Sequence, residues 1–338
     1  MKNLIFPNIA IIGATGMVGS TFLKLLEEEF FLDSKVHLVA SKRSAGKRIK
    51  FRSSFQTVEN LELFDFSKVD LAFFSAGAET ARNFVPKAIN LGCLVVDNSS
   101  EFRYQDEIPL IIPEVNAKAL ESFHPPGVIA NPNCSTIQML VALKPIHDEY
   151  KIKRINVTTM QAVSGTGQAA TEELQSQQEA ISNKSNLLVK TYPAQIANNV
   201  LPQCDNFQKN RYTREEMKMV WETHKILSSQ IEVSPTCVRV PVFNGHSESI
   251  HLETERPLKE KDVFDLLSVS PGLKVFFGKE KEDYPTPLTD GDGVNEVLVG
   301  RIRKDLTSDK RLNLWVVGDN LLKGAALNSL QIAKLFNN

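Results

Sequence analysis

Four cysteines in 338 residues, and no excess of charge of either sign, leave this chain short of several chemistries. Cys93, Cys134, Cys204 and Cys237 lie far apart, with no CxxC pair and no nearby histidine at zinc spacing. That spacing argues against a disulfide framework and a local metal site, so free thiols in a reducing compartment and no metal are expected. Lysine plus arginine number 39 against 40 acidic residues, a net charge of -1. A binder of nucleic acid would show a basic excess or stripe, so none is expected as a partner. Long apolar runs are missing too. The charge-free stretches from Lys2 to Lys24 and from Ser122 to Lys144 are broken by Pro7, Gly13, Gly16 and Gly19, and by Pro125, Pro126 and Pro132. Neither suits a membrane span or a signal peptide, and the expected location is the cytoplasm. No internal repeat or low-complexity tract is visible.

What remains is an ordinary globular composition, 42% hydrophobic and 23% charged, in a chain long enough for about two domains. The first third alternates apolar runs with helical patterns. Ile9–Ile12, Val36–Ala40, Leu71–Phe74 and Leu94–Val96 are continuous rather than alternating, the signature of parallel strands buried on both faces. Val18, Phe22, Leu25 and Leu26 make one helix face between the first two, so a doubly wound α/β sheet of Rossmann type is predicted. From about Arg154 the strands lengthen and gain β-branched residues, which predicts an α+β second domain. The stretch from about Gln175 to Arg211 carries no motif and reads as loops and short helices. Leu312–Val317 reads as a last strand, followed by a helix able to dock on the first domain.

Gly13-Ala-Thr-Gly16-Met-Val-Gly19 follows the first strand directly and opens the first helix. Glycines there permit a tight turn and bring backbone N–H groups close to a pyrophosphate, although a plain strand-to-helix turn would use them as well. After the second strand comes Ser41-Lys-Arg43-Ser44, where an NAD-preferring fold would place an acid. A guanidinium and a hydroxyl suit a 2′-phosphate, favouring NADP; a solvated basic loop is the bland alternative.

Cys134 sits in Asn131-Pro-Asn-Cys-Ser-Thr136, at the mouth of a helix for which Ser135 or Thr136 could serve as cap. A thiol there feels the helix dipole and gains thiolate character, which makes it a candidate nucleophile. Most single cysteines are inert small hydrophobes, and Cys93, Cys204 and Cys237 are read that way. A nucleophilic thiol needs a proton partner, and His246 follows an Asn-Gly turn signal. If that turn closes a two-residue hairpin, Arg239 and His246 project to one side. An arginine in an apolar strand calls for an anionic partner such as a carboxylate. Thr213-Arg-Glu-Glu216 reads as a capping box, with Met217, Val220, Trp221 and His224 as the buried face and Glu215 and Lys218 together on another. Arg103 follows the strand ending in Asp97 and is ambiguous alone.

Seven ordered motifs, taken together, resemble the aspartate-semialdehyde dehydrogenase family almost end to end. Besides the glycine turn and Pro-Asn-Cys-Ser-Thr, they are Val95-Val-Asp-Asn-Ser-Ser-Glu-Phe-Arg103, Gln161-Ala-Val-Ser-Gly165, Arg239-Val-Pro-Val-Phe-Asn-Gly-His-Ser-Glu-Ser249, Val299-Gly-Arg-Ile-Arg-Lys-Asp305 and Gly318-Asp-Asn-Leu-Leu-Lys-Gly-Ala-Ala326. The resemblance implies an NADP-binding Rossmann domain over 1–133 plus 320–338 and a catalytic and dimerisation domain over 134–319, in a homodimer. It implies Cys134 as the acyl-thioester nucleophile, His246 as general acid/base and Gln161 as the residue orienting the carbonyl. Arg239 would clamp the substrate carboxylate, Glu215 would meet its ammonium, and Arg103 and Lys218 would bind phosphate. Thr15, Gly16, Met17, Val18, Arg43, Ser44, Ser164, Gly165 and Asn320 would hold NADP. The implied reaction is NADPH-dependent conversion of aspartyl phosphate to aspartate semialdehyde, a step toward lysine through diaminopimelate, methionine and threonine.

Three other readings compete. N-acetyl-glutamyl-phosphate reductase shares the covalent logic but takes an acylated amine, for which Glu215 is poorly suited. A phosphorylating glyceraldehyde-type dehydrogenase is disfavoured by Arg43. A non-catalytic NADP-binding homologue would have no reason to keep Cys134, Gln161, Arg239 and His246 together.

Overall fold

The computed structural model describes residues 6–277 and 283–337. The chain forms two compact units, one of residues 1–133 and 325–338 and the other of residues 134–324. The return to the first unit thus begins at Ala325, against an expected boundary at 320.

The first unit is built on strands β1 (Asn8–Ile12), β2 (Lys35–Ala40), β5 (Glu59–Asn60), β6 (Leu71–Phe74), β7 (Leu94–Asp97) and β8 (Gly127–Ala130), with β3 (Arg48–Phe51) and β4 (Ser54–Thr57) as a separate antiparallel pair. The six form one sheet in the order β5-β2-β1-β6-β7-β8, every pairing parallel. Read by position along the chain, this is the 3-2-1-4-5-6 order of the dinucleotide-binding fold, whose switch point lies between β1 and β6. Continuous apolar strands are what such a sheet requires. Ile9 to Ile12, Leu71 to Phe74 and Leu94 to Val96 are all buried. Helix α1 (Met17–Glu28) buries Phe22, Leu25 and Leu26, and α2 (Ala78–Asn90) and the short α3 (Pro113–Asn116) complete the crossovers. The chain's last helix, Leu327–Lys334, rejoins this unit through polar contacts that a purely apolar helix would lack. Asn328 Nδ2 donates to Asn131 Oδ1 at 2.7 Å and to the Ile111 carbonyl at 3.0 Å, and Ser329 Oγ donates to Asn98 Oδ1.

The second unit opens with α4 (Cys134–Tyr150), followed by β9 (Ile152–Gln161), α5 (Gln168–Ser182), α6 (Arg214–Ile226), β10 (Glu232–Arg239), β11 (His246–Thr254), α7 (Glu260–Ser268), β12 (Leu273–Val275), β13 (Val297–Lys304) and β14 (Arg311–Gly318). Its sheet runs β10-β9-β11-β14-β13-β12 with mixed direction. The hairpin expected around Asn244-Gly245 is absent. β10 pairs with β9 in parallel, β11 pairs with β9 antiparallel, and β9 therefore lies between them. Gly245 does adopt a positive φ of 84°, but it turns the chain into a strand on the far side of β9.

Two further expectations are corrected here. Residues 168–182 form one continuous helix, which includes the beginning of the stretch read as loops and short helices. Its inward face is Ala170, Glu173, Leu174, Gln177 and Ala180, and the two polar members hide the apolar period. In α6 the capping box is present, with Thr213 N–H donating to Glu216 Oε2 and Glu216 N–H to Thr213 Oγ1. The face it buries is Glu215, Met219, Glu222 and Ile226, however, while Trp221 is 39% exposed. An acidic face turns inward because cationic and amide groups wait for it there.

Candidate active site

In the first unit, the carboxyl ends of the parallel strands gather six of the predicted cofactor residues, while Ser164, Gly165 and Asn320 belong to the second. Gly13 follows β1 with a φ of 94°, and a Cβ there would fall 2.4 Å from the Ser75 carbonyl at the end of β6. A Cβ on Gly19 would fall 2.2 Å from the Gly13 carbonyl. Both positions therefore demand glycine. Gly16 caps α1 with no side-chain hydrogen bond, and the first turn carries no acid. Its N–H groups and the positive end of the dipole thus face an approaching anion unopposed. Thr15, Met17 and Val18 flank this cap, each partly exposed. Arg43, exposed, and Ser44, buried, lie in the turn after β2, closed by Ser44 N–H to the Ser41 carbonyl at 2.8 Å. No acid stands in that turn.

Arg103 also belongs to this unit, buried, donating through Nη2 to the Asn98 carbonyl at 2.8 Å. Near it, burial lifts the Asp97 carboxyl to about 6, against hydrogen bonds from Ser99 and the Arg103 charge that pull it down.

In the second unit, strand register does the positioning. Arg239 on β10 lies opposite Gln161 on β9, and the β11 register pairs Ser247 with Met160, which places His246 beside Gln161 on the other side. Strand alternation turns all three side chains to the same face, where each is buried. One step back along the same strands come Cys237, Thr159 and Glu248, also buried. Gln138, one helical turn after Cys134 on α4, is buried as well, and its amide reaches toward the His246 carbonyl.

Main-chain groups hold these side chains. The Ala162 N–H donates to His246 Nδ1 at 3.0 Å, and Arg239 Nη1 donates to the Ala162 carbonyl at 2.5 Å. A neutral imidazole accepting at Nδ1 carries its proton on Nε2. Burial, reinforced by the Arg239 charge, lowers His246 to about 3, so neutral is the resting form. His246 Nε2 and Arg239 Nε are buried without a hydrogen-bond partner among the described residues. Gly165 faces them both. A Cβ there would stand 3.1 Å from Arg239 Nη1 and 3.1 Å from His246 Nε2.

Cys134 is partly exposed at the first position of α4. Gly324 lies against it, since a Cβ on that glycine would fall 2.8 Å from Cys134 Cβ. Next to the thiol, Ser135 Oγ accepts from Gln161 Nε2 at 2.9 Å, and the same amide donates to Glu215 Oε1 at 3.1 Å. Glu215 Oε2 in turn takes Lys218 Nζ at 2.9 Å, and Asp205 Oδ2 takes it at 3.0 Å. With side chains 8% and 14% exposed, Glu215 and Lys218 are no surface pair of a few tenths of a kcal/mol. The pair is shared further, Glu215 with the Gln161 amide and Lys218 with Asp205. Asn320 Oδ1 accepts from the Gly245 N–H at 2.9 Å, and its amide donates to Ser164 Oγ at 2.9 Å, so the residue before His246 is tied to the one before Gly165.

Two family models match the chain, that of the semialdehyde dehydrogenase NAD binding domain over residues 8–123 and that of the semialdehyde dehydrogenase dimerisation domain over residues 143–323. An aspartate-semialdehyde dehydrogenase of Legionella pneumophila is 52% identical over 329 residues, which cover 97% of this chain and 95% of that protein. The chain belongs to the aspartate-semialdehyde dehydrogenase family. The crystal structure of aspartate semialdehyde dehydrogenase II from Vibrio cholerae, complexed with ASA, superposes with a TM-score of 0.95 at 49% identity, covering 98% of both chains. An aspartate semialdehyde dehydrogenase with NADP from Candida albicans superposes at 0.74, with 26% identity over 98% of each chain.

Further residues that sequence reasoning passed over lie against the candidate site. Asp205 sits in the stretch without motif. Gln138 and Glu248 are visible only once α4 and β11 are in place, although their spacing from Cys134 and His246 repeats one helical turn and one strand pleat. Asp319 accepts the Leu321 and Leu322 N–H groups at 2.8 and 3.0 Å and the Gly293 N–H at 2.8 Å. It fixes the turn that carries Asn320 and Gly324. Among the described residues no helix is long and apolar enough to cross a membrane, and no cluster of ligating side chains could hold a metal.

Proposed function

We propose that this chain catalyses the reductive dephosphorylation of L-aspartyl-4-phosphate to L-aspartate 4-semialdehyde, and its reversal in the presence of phosphate. Two side chains that each keep a buried donor without a protein partner, Arg239 at Nε and His246 at Nε2, carry the reading, since both lie against Gly165 on one buried face. One suits a carboxylate and the other a reacting oxygen.

The Cys134 thiolate attacks the acyl carbon of the substrate, a C–S bond forms, and the C–O bond to phosphate breaks as phosphate leaves with the electron pair. NADPH, when bound, supplies the hydride that reduces the thioester. His246 offers its Nε2 proton to the oxygen on which charge develops, and Ala162 holds the ring in the tautomer that allows it. Collapse of the thiohemiacetal returns the thiolate and frees the aldehyde. Arg239 holds the α-carboxylate, Glu215 meets the α-ammonium while anchoring Gln161, and Lys218 and Arg103 receive phosphate. The open cap at Gly16, with Thr15, Met17 and Val18 around it, fits a pyrophosphate. Arg43 and Ser44 would hold a 2′-phosphate, and Ser164, Gly165 and Asn320 would also hold the cofactor.

A homodimer formed through the second unit, in the cytoplasm, completes the reading, with the product feeding lysine, methionine and threonine synthesis. The buried Glu215–Lys218 pair favours a free ammonium over the acylated amine of N-acetyl-glutamyl phosphate. A two-by-two assay tests both points, with NADP or NAD against aspartate semialdehyde or N-acetyl-glutamate semialdehyde, each with phosphate. Turnover confined to aspartate semialdehyde with NADP is expected. Preference for the acetylated substrate would overturn the reading.

A further inference from the structure

Resting on that reading, we propose that Gln177 is a positioning residue for the substrate site, acting with Glu173 one turn earlier on α5 as a clamp on residues 188–197. Gln177 is 1% exposed, although glutamine is mostly found at the surface. Its full polar capacity is used. Nε2 donates to the Leu188 carbonyl at 2.9 Å and to Glu173 Oε1 at 3.1 Å, while Oε1 accepts the consecutive N–H groups of Ile196 and Ala197, each at 3.0 Å. The other oxygen of Glu173 accepts the N–H groups of Lys190 and Thr191.

Residues 188–197 have neither helix nor strand, so these two side chains replace the ladder that would otherwise satisfy the backbone. Downstream, the segment leads directly to the site. Ile196, Ala197 and Leu201 pack with Val163, Ala170 and Leu174 in one buried cluster. Leu201 exchanges both backbone hydrogen bonds with Arg239, at 2.9 and 2.8 Å, and Asp205 pairs with Lys218. Gln177 touches none of the groups assigned to substrate. Its effect passes through the backbone of Arg239 and the carboxylate on Lys218.

Loss of the clamp therefore weakens substrate binding more than it slows chemistry. Q177M keeps the shape and removes the hydrogen bonds. It is expected to raise KM for aspartate semialdehyde about tenfold, with kcat and the KM for NADP changed less than about twofold. In hydrogen exchange, the Ile196 and Ala197 amides should lose protection together. The swapped pair E173Q/Q177E retains acceptors for the segment and a hydrogen bond along the helix but loses the donor to the Leu188 carbonyl, so it should recover both readouts in part. Unprotected amides with an unchanged KM would overturn the proposal, as would a loss confined to kcat. If Q177M does not fold, E173M, which removes the acceptor, is read in the same way at Lys190 and Thr191, a raised KM supporting the clamp and an unchanged one overturning it. If wild-type protein turns over a different semialdehyde, the proposed reaction fails and the clamp is tested with that substrate.

Discussion

The backbone N–H of Ala162 donates to Nδ1 of His246 at 3.0 Å, and this single contact decides which imidazole nitrogen carries the proton. The ring is neutral and completely buried. H246N should lower kcat by about 10²–10⁴-fold, the range of a lost general acid or base, while Cys134 stays in place for alkylation. A sign follows for stability. The folded pKa of about 3 lies below the unfolded value, so the contribution of the neutral ring is present above the ordinary histidine range and fades as pH falls toward 3. Denaturation midpoints should show wild type losing stability relative to H246N between about pH 6.5 and pH 3. A constant gap across that range would contradict a buried neutral histidine.

The four thiols should separate cleanly under an electrophile. Burial pushes Cys93 up to about 11, Cys204 up to about 12 and Cys237 well above the usual thiol range, whereas Cys134 is partly exposed at a helix N-terminus. Iodoacetamide at neutral pH should modify Cys134 alone, in step with loss of activity, and C134A should abolish both adduct and turnover. Peptide mass spectrometry reads the result; an adduct on another cysteine before Cys134 would refute the ranking.

Gly324 should be more sensitive in activity than in stability. A methyl there would meet Cys134 Cβ at 2.8 Å, so G324A must displace the proposed nucleophile or the turn beneath it. We expect at least about a tenfold fall in kcat with a melting shift of only a few degrees, because misplacing a reacting group by about an ångström costs up to a hundredfold. Kinetics and calorimetry on the same preparation test this, and an unaltered kcat would show that the thiol tolerates the shift.

Glu248 makes the opposite prediction. Burial raises its carboxyl well above the ordinary carboxylate range; the Gln138 amide approaches, but neither oxygen has a partner in hydrogen-bond geometry. With the folded pKa raised, stability is fullest below the unfolded value and is lost as pH rises. E248Q removes that titration. Its melting temperature should exceed wild type at pH 8, and the gap should narrow toward pH 5. A gap independent of pH would mean that Glu248 does not titrate in this range.

The parallel sheet was legible because its strands are unbroken apolar runs, and Cys134, Gln161, Arg239 and His246 were legible because each sits in a motif of fixed local order. The face of α6 was misread for a reason that also made it worth finding. Periodicity assumes that apolar residues point inward, and here Glu215 does, leaving Trp221 half outside. The α5 face was hidden likewise by Glu173 and Gln177. The hairpin failed because an Asn-Gly signal specifies a local turn and says nothing of whether another strand lies between its arms. Asp205 could be found only by its partner, since nothing near it in sequence marks it.

The walls beside the proposed reacting groups are main chain, Gly324 against Cys134 and Gly165 against Arg239 and His246. A wall of backbone has no rotamers to populate. Substrate entering such a space freezes few protein side chains that were previously free, so little of its contact energy is spent on ordering the pocket. The two glycines thus act on affinity through entropy, as preorganisation, and a side chain at either would push Cys134, Arg239 or His246 aside before it met substrate.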